Sequence, residues 1–188
     1  MSFKELSPTF SAAPQLSPED VAQAAREGFK IIVCHRHDGE DSDQPSAAEM
    51  ATMVARHGMR FVHIPVTPGD VKDADVAAFV KAIGDDDVRV LGYCKTGKRA
   101  ASFWALSQGG EQDADAIIKT ASAAGYDISE LRSRIVGRAA LDDADPEIVR
   151  QRRRAREQDA ANGSEDGGET DGADEAEKQA RAGEKVIL

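Results

Sequence analysis

Aromatic side chains are scarce in this chain, 5% of 188 residues with a single tryptophan, so its core has to be filled by small aliphatic groups. Cysteine is scarcer still. Cys34 and Cys94 are too few for a disulfide framework and are expected as free thiols. No apolar run of about 18 residues occurs. The start Met1-Ser2-Phe3-Lys4-Glu5 has neither the charged segment nor the apolar stretch of a secretory leader, so a cytoplasmic location is expected. Positive charge is also in short supply: 24 Lys and Arg stand against 34 Asp and Glu, a net charge of −10. A phosphate backbone or an anionic lipid surface would repel such a chain, so neither nucleic acid nor membrane is an expected partner.

The negative charge is concentrated at one end. From Glu157 on, ten acidic residues face three basic ones and contribute −7, leaving −3 for residues 1 to 156. This stretch has no aromatic side chain and no branched aliphatic one before Val186, so it buries too little apolar area to offset the entropy of ordering. Residues 157–188 are therefore expected to form a disordered acidic tail, with a protein partner as one use for it. Residues 140–156 are expected to form a basic helical extension. Asp145-Pro146-Glu147 opens its pattern, and Arg150, Arg152, Arg153, Arg154 and Arg156 follow as a solvated, dipole-complementing end.

Residues 1–139 alternate between β-like runs and helical stretches. Ser17-Pro18-Glu19-Asp20 places a capping side chain, a proline and two acids at a helix start, which Gly28 ends. The apolar run Phe29–Cys34 reads as a strand, Ser46 opens a second helix that Gly58 ends, and Arg60–Ile64 reads as a second strand. A third helix fits Asp73 to Ile83, with Val76, Phe79, Val80 and Ile83 on one face. Val88–Tyr93 is a further buried strand. Strands separated by helices of about ten residues predict an α/β fold with a central, mostly parallel sheet flanked by helices.

Chemistry is expected directly after that last strand, in Cys94-Lys95-Thr96-Gly97-Lys98-Arg99. A strand end, a glycine-containing loop and a helix start together form an anion-binding geometry, because backbone N–H groups and the positive end of the helix point into the loop. A thiol set there among cations is driven toward thiolate. Gly97 supplies the positive φ a tight loop needs, and Arg99 offers a planar fork for two oxygens of an oxyanion. Cys94 and Arg99 are thus the candidate nucleophile and clamp. Lys95, Thr96, Gly97 and Lys98 complete an expected site for a small anionic substrate, with no cofactor. Asp70, in the loop after the Arg60–Ile64 strand, and Asp38 are the candidate general acids. Arg36, at a strand end, is a candidate for substrate oxygens. His35, His37, Asp38 and His63 could be imagined around zinc but lack a convincing fourth ligand, so no metal site is assigned. Cys34 reads as core.

The segment Cys94-x-x-Gly97-x-Arg99 after a hydrophobic strand resembles the phosphatase-like domain of beta-lactamase-hydrolase-like proteins, relatives of cysteine-based dual-specificity phosphatases. The likeness covers roughly residues 8 to 136. It includes, in order, Gln15–Asp20, Gly28-Phe29-Lys30, Arg36 with Asp38-Gly39-Glu40, Gln44-Pro45-Ser46, His63–Val66 and Ala124–Asp127. It implies a phosphatase-like α/β fold with Cys94 as nucleophile and Arg99 as clamp, hydrolysing phosphomonoesters through a phosphocysteine. Two departures keep sulfur transfer open as the alternative. Four residues separate Cys94 from Arg99 where five are usual, as in rhodanese-like sulfurtransferases that carry a persulfide, and Ala100 stands where the family often has a hydroxyl. A non-catalytic anion-binding or partner-binding module is the third reading.

Overall fold

A computed structural model describes residues 3–84, 87–110 and 112–142, with side chains to Gly137. The acidic tail at 157–188 and all but the first three residues of the basic extension at 140–156 lie outside the described residues. In chain order the elements are β1 (Lys4–Ser7), β2 (Phe10–Ala13), α1 (Pro18–Arg26), β3 (Phe29–Cys34), α2 (Ala47–Arg56), β4 (Arg60–His63), α3 (Asp73–Ile83), β5 (Arg89–Tyr93), α4 (Lys98–Ser107), α5 (Ala114–Ala123), a 3-10 turn (Ser129–Leu131) and α6 (Arg132–Asp142).

The helix starts obey the capping chemistry of the sequence. Ser17 accepts from the Asp20 N–H while the Asp20 carboxylate accepts from the Ser17 N–H, and Ser46 and Glu49 repeat this reciprocal arrangement at α2. The strands form one sheet in the order β1-β2-β5-β3-β4, in which only β1 pairs antiparallel. The mostly parallel α/β architecture expected from the sequence is the one observed. The β1–β2 hairpin is an addition: two four-residue strands around Pro8-Thr9 are too short and too rich in Ser and Ala to announce themselves.

Both faces of the sheet are covered, which is why β3 and β5 read as near-continuous apolar runs. One face packs Ile31, Val33 and Val90 against Val76 and Phe79 of α3, Phe103 and Leu106 of α4, Ile117 of α5 and Ile135 of α6. The other packs Ile32, Leu91 and Tyr93 against Val21 of α1 and Met50 and Val54 of α2. Burying each such side chain contributes about 1.5–3 kcal/mol relative to exposure, so the two layers hold the sheet between them. Gly92 lets α4 lie close over the centre: a Cβ there would come within 2.6 Å of the Phe10 ring and 3.1 Å of the Ala100 methyl. With β5 in the middle of the sheet, the loop that follows it opens at the carboxyl ends of the parallel strands, where α/β folds place their ligands.

Candidate active site

Cys94 follows β5 directly and is 1% exposed. The chain then turns through Gly97, whose φ of +94° is left-handed, and enters α4 at Lys98. A residue with a Cβ would be strained there. The Cβ would also meet the ring of Tyr126, 2.7 Å from its Cζ, so glycine is required on two counts. The turn folds the Gly97 N–H back to the Cys94 sulfur at 3.2 Å. Tyr126 closes the loop from behind; burial, and secondarily the charge of the neighbouring Cys94 sulfur, push its phenol up from the ordinary value.

Arg99 enters from the first turn of α4 and is almost wholly enclosed. Its Nη1 donates to the carbonyls of His35 at 2.9 Å and Val66 at 2.8 Å and to Glu40 Oε1 at 2.6 Å, and its Nη2 donates to Glu40 Oε2 at 2.7 Å. The bidentate pair with Glu40 raises the guanidinium further above its ordinary pKa, with the Cys94 sulfur adding to the effect. The same contact holds the Glu40 carboxyl down at about 2. Because Glu40 takes one proton from each terminal nitrogen, it fixes the plane of the fork and does not occupy the Nε edge.

A cavity of ≈ 290 Å³ opens over this floor. It is lined by Glu40, by Cys94, Lys95, Thr96, Lys98, Arg99 and Ser102, by Pro68, Gly69 and Val71 after β4, and by Glu130, Leu131 and Arg134 around the start of α6. The structure therefore gathers Cys94, Lys95, Thr96, Lys98 and Arg99 as the sequence implied, with Gly97 shaping the turn. Arg36 is a correction. It is 2% exposed, does not line the cavity, and donates to Gln15 Oε1 at 2.6 Å, Glu40 Oε2 at 3.2 Å and Asp41 Oδ2 at 2.5 Å. It holds the carboxylates that hold the site, and its burial away from the cavity keeps it from a substrate there. Asp38 is also placed elsewhere: its Oδ1 accepts the Ala47 N–H at 2.7 Å, at the start of α2. Asp70 sits on the loop whose neighbours Gly69 and Val71 line the cavity, but its own carboxylate is 65% exposed and faces Lys72 at 3.8 Å.

Among the described residues the histidines form no ligand set for a metal. His35 stacks on Phe103 with ring centroids 4.0 Å apart and has Nδ1 3.2 Å from the Ile64 carbonyl, whereas His63 Nε2 lies 2.7 Å from the Arg36 carbonyl. Cys34 lies in the α1/α2 core layer, where burial pushes its thiol up. Glu40 and Tyr126, and the carbonyls of His35 and Val66, are site components that sequence reasoning did not single out. Glu40 carried one available signal, a carboxylate in a loop that leaves a strand end four residues after an arginine.

Comparison with known proteins meets this geometry. The model of the phosphatase-like domain of beta-lactamase hydrolase-like proteins matches residues 2–111. The beta-lactamase hydrolase-like protein of Xylella fastidiosa is 28% identical over 130 residues, which are 68% of this chain and 30% of that protein. The chain thus spans under a third of the length of that relative. The counterpart from Agrobacterium fabrum is 29% identical over 100 residues, 53% of this chain and 23% of its own. A candidate phosphatase from Neisseria meningitidis, known by crystal structure, superposes with a TM-score of 0.65 at 34% identity, covering 73% of this chain and 98% of that one. A second crystal structure, of a protein from Shewanella putrefaciens, shares the fold at 19% identity with a TM-score of 0.60, covering 74% and 91%. Among the described residues no helix is long and apolar enough to cross a membrane.

Proposed function

The chain belongs to the family of phosphatase-like domains found in beta-lactamase hydrolase-like proteins, and from that premise we propose that it is a cysteine-dependent phosphomonoester hydrolase. The observation that carries the reading is the placing of the Cys94 sulfur, under the Gly97 N–H and beside Arg99, at the floor of one cavity. The substrate is a small phosphate ester, whose charge is met by the helix end and by Lys95, Lys98 and Arg99 in a chain that is acidic as a whole. Cys94 thiolate attacks phosphorus and displaces the ester oxygen, giving a phosphocysteine. The N–H groups of residues 95 to 99 and the Nε edge of Arg99 hold the equatorial oxygens as charge builds on them. Water then attacks the phosphocysteine, releasing inorganic phosphate and the thiolate.

The four-residue spacing supports a second reading, in which Cys94 takes a sulfane sulfur and passes it to a thiol or cyanide. One experiment separates the two: hydrolysis of an aryl phosphate and thiosulfate-to-cyanide transfer, measured side by side on wild type and Cys94→Ser. The expected result is phosphate release that Cys94→Ser abolishes, with no sulfur transfer. Cys94-dependent thiocyanate without phosphate release reverses the assignment, and neither activity together with oxyanion binding that survives Cys94→Ser leaves a binding module.

A further inference from the structure

A second cavity, of ≈ 90 Å³, lies at the amino ends of β2 and β5, the edge of the sheet opposite to the loop that begins at Cys94. Phe10 and Val90, partners across those two strands, line it together with Phe79 and Ile83 of α3 and Trp104 of α4. Helix α4 thus has Lys98 on the cavity over Cys94 and Ser107 on this one. Polar groups at the border already have partners. Ser7 Oγ accepts the Phe10 N–H at 3.0 Å, Ser107 Oγ donates to the Trp104 carbonyl at 2.8 Å, and Gln108 Oε1 accepts from Gln112 Nε2 at 3.1 Å. The Trp104 indole differs from them: the residue is 2% exposed, and its Nε1–H meets no acceptor.

We propose that this cavity is a binding site for a compact neutral molecule with an apolar body and one ether or carbonyl oxygen. The oxygen accepts the Trp104 N–H while the body packs on Phe10, Phe79 and Ile83. A buried donor left without an acceptor destabilises a fold, and a molecule that brings the acceptor recovers that loss as affinity. Water is a poor match, because an ordered buried water makes about three hydrogen bonds and the aromatic wall offers it one. An ion is a worse one. No charged side chain lines the cavity among the described residues, so an ion would lose its hydration without gaining a counter-charge. Size narrows the class further: a dry apolar cavity of about 150 Å³ takes a benzene ring, so this one suits about four or five non-hydrogen atoms. The site stands apart from the chemistry at Cys94 and does not depend on which reaction that residue performs.

Tetrahydrofuran and cyclopentane test the proposal, since these rings differ in one ether oxygen. Trp104 is the only tryptophan of the chain, so a single indole N–H resonance in an NMR titration of the full chain reports on this atom. Tetrahydrofuran is expected to move that resonance downfield and to saturate the shift. In Trp104→Phe, where binding is read from the amide of Val90 on the cavity wall, the ratio of tetrahydrofuran to cyclopentane affinity should fall about tenfold, the worth of one buried donor satisfied. Taking the ratio cancels the change of volume, which both rings feel. Ser107→Leu keeps the indole and fills the cavity from the end of α4, and should abolish the shift. An indole resonance that tetrahydrofuran does not shift saturably, or that exchanges magnetisation with water alone at all ligand concentrations, overturns the proposal in favour of ordered water only. An unchanged affinity ratio in Trp104→Phe, or a shift that persists in Ser107→Leu, overturns it as well.

Discussion

Behind Cys94, Glu40 and Asp41 hold Arg36 and Arg99, and the two guanidiniums are exposed by only 2% and 7%. On the cavity rim and just beyond it, Lys98, Arg134 and Lys72 pair with Glu130, Asp73 and Asp70, and every one of these side chains is a third or more exposed. Both sets pair cations with carboxylates and the distances overlap, so chemistry does not distinguish them. Solvent does. Water and salt weaken the rim pairs to about 0–1 kcal/mol each, so each pair constrains its side chains only loosely. The inner pairs are shielded, so removing one member strands a buried charge, and their service is to hold still.

That contrast can be broken from the inside first. Glu40→Gln should leave Arg36 and Arg99 with too little negative charge and free the fork to rotate. We expect a loss of about 3 kcal/mol in denaturant unfolding, near the lower end for a buried pair because Glu40 is 20% exposed. A fall in kcat/KM of about 100-fold should accompany it, from misorientation of the clamp. A variant that unfolds at the wild-type midpoint and turns over normally would show that the inner set is no more structural than the rim.

Acid tests the same region without a mutation. Burial, followed by the charges of Arg99 and His63, opposes protonation of His35 beyond the help of the Ile64 carbonyl, and lowers its pKa from 6.5 to about 3. The unfolded chain therefore binds this proton first. The stability is fully present above pH 6.5 and is lost as the pH falls from there toward 3, amounting to about 2 kcal/mol by pH 5. Glu40 adds a second loss in the same direction, beginning below 4.5 and running to about 2. Thermal melts between pH 7 and 5 should show the first slope in wild type and a flatter line in His35→Phe. Equal slopes would remove His35 as its source.

The smallest effects belong to the rim. Asp73→Asn and Lys72→Gln should each move stability by no more than about 0.5–1 kcal/mol, and raising the salt to the molar range should shrink even that. A loss as large as that of Glu40→Gln would erase the distinction drawn from exposure.

How far the sequence disclosed this molecule follows the same line between local and distant causes. Helices α1 and α2 were legible because Ser17 with Asp20, and Ser46 with Glu49, do their capping within four residues, and α3 because Val76, Phe79 and Ile83 share a face. The loop from Cys94 to Arg99 stood out because strand end, glycine, cations and helix start are consecutive. What surrounds that loop comes from far along the chain. Glu40 is 59 residues from Arg99, and Tyr126 lies 29 residues beyond Gly97. No periodicity reports such distances. Arg36 was misjudged for that reason: a strand-end arginine beside an anion loop looks like a ligand for substrate until Gln15, Glu40 and Asp41 are seen to use its donors.

The shell around Arg99 also bears on how an inert form of this protein should be made. Its Nη1 spans the end of β3, through the His35 carbonyl, and the segment after β4, through the Val66 carbonyl, while its backbone opens α4. One side chain thus fastens three crossings of the chain at the floor of the cavity. Replacing Arg99 to silence the protein would deprive those carbonyls of their donor and loosen the very pocket whose occupants one wishes to capture. Cys94→Ser alters one atom and leaves that fastening closed, and is the better bait for catching what this pocket holds.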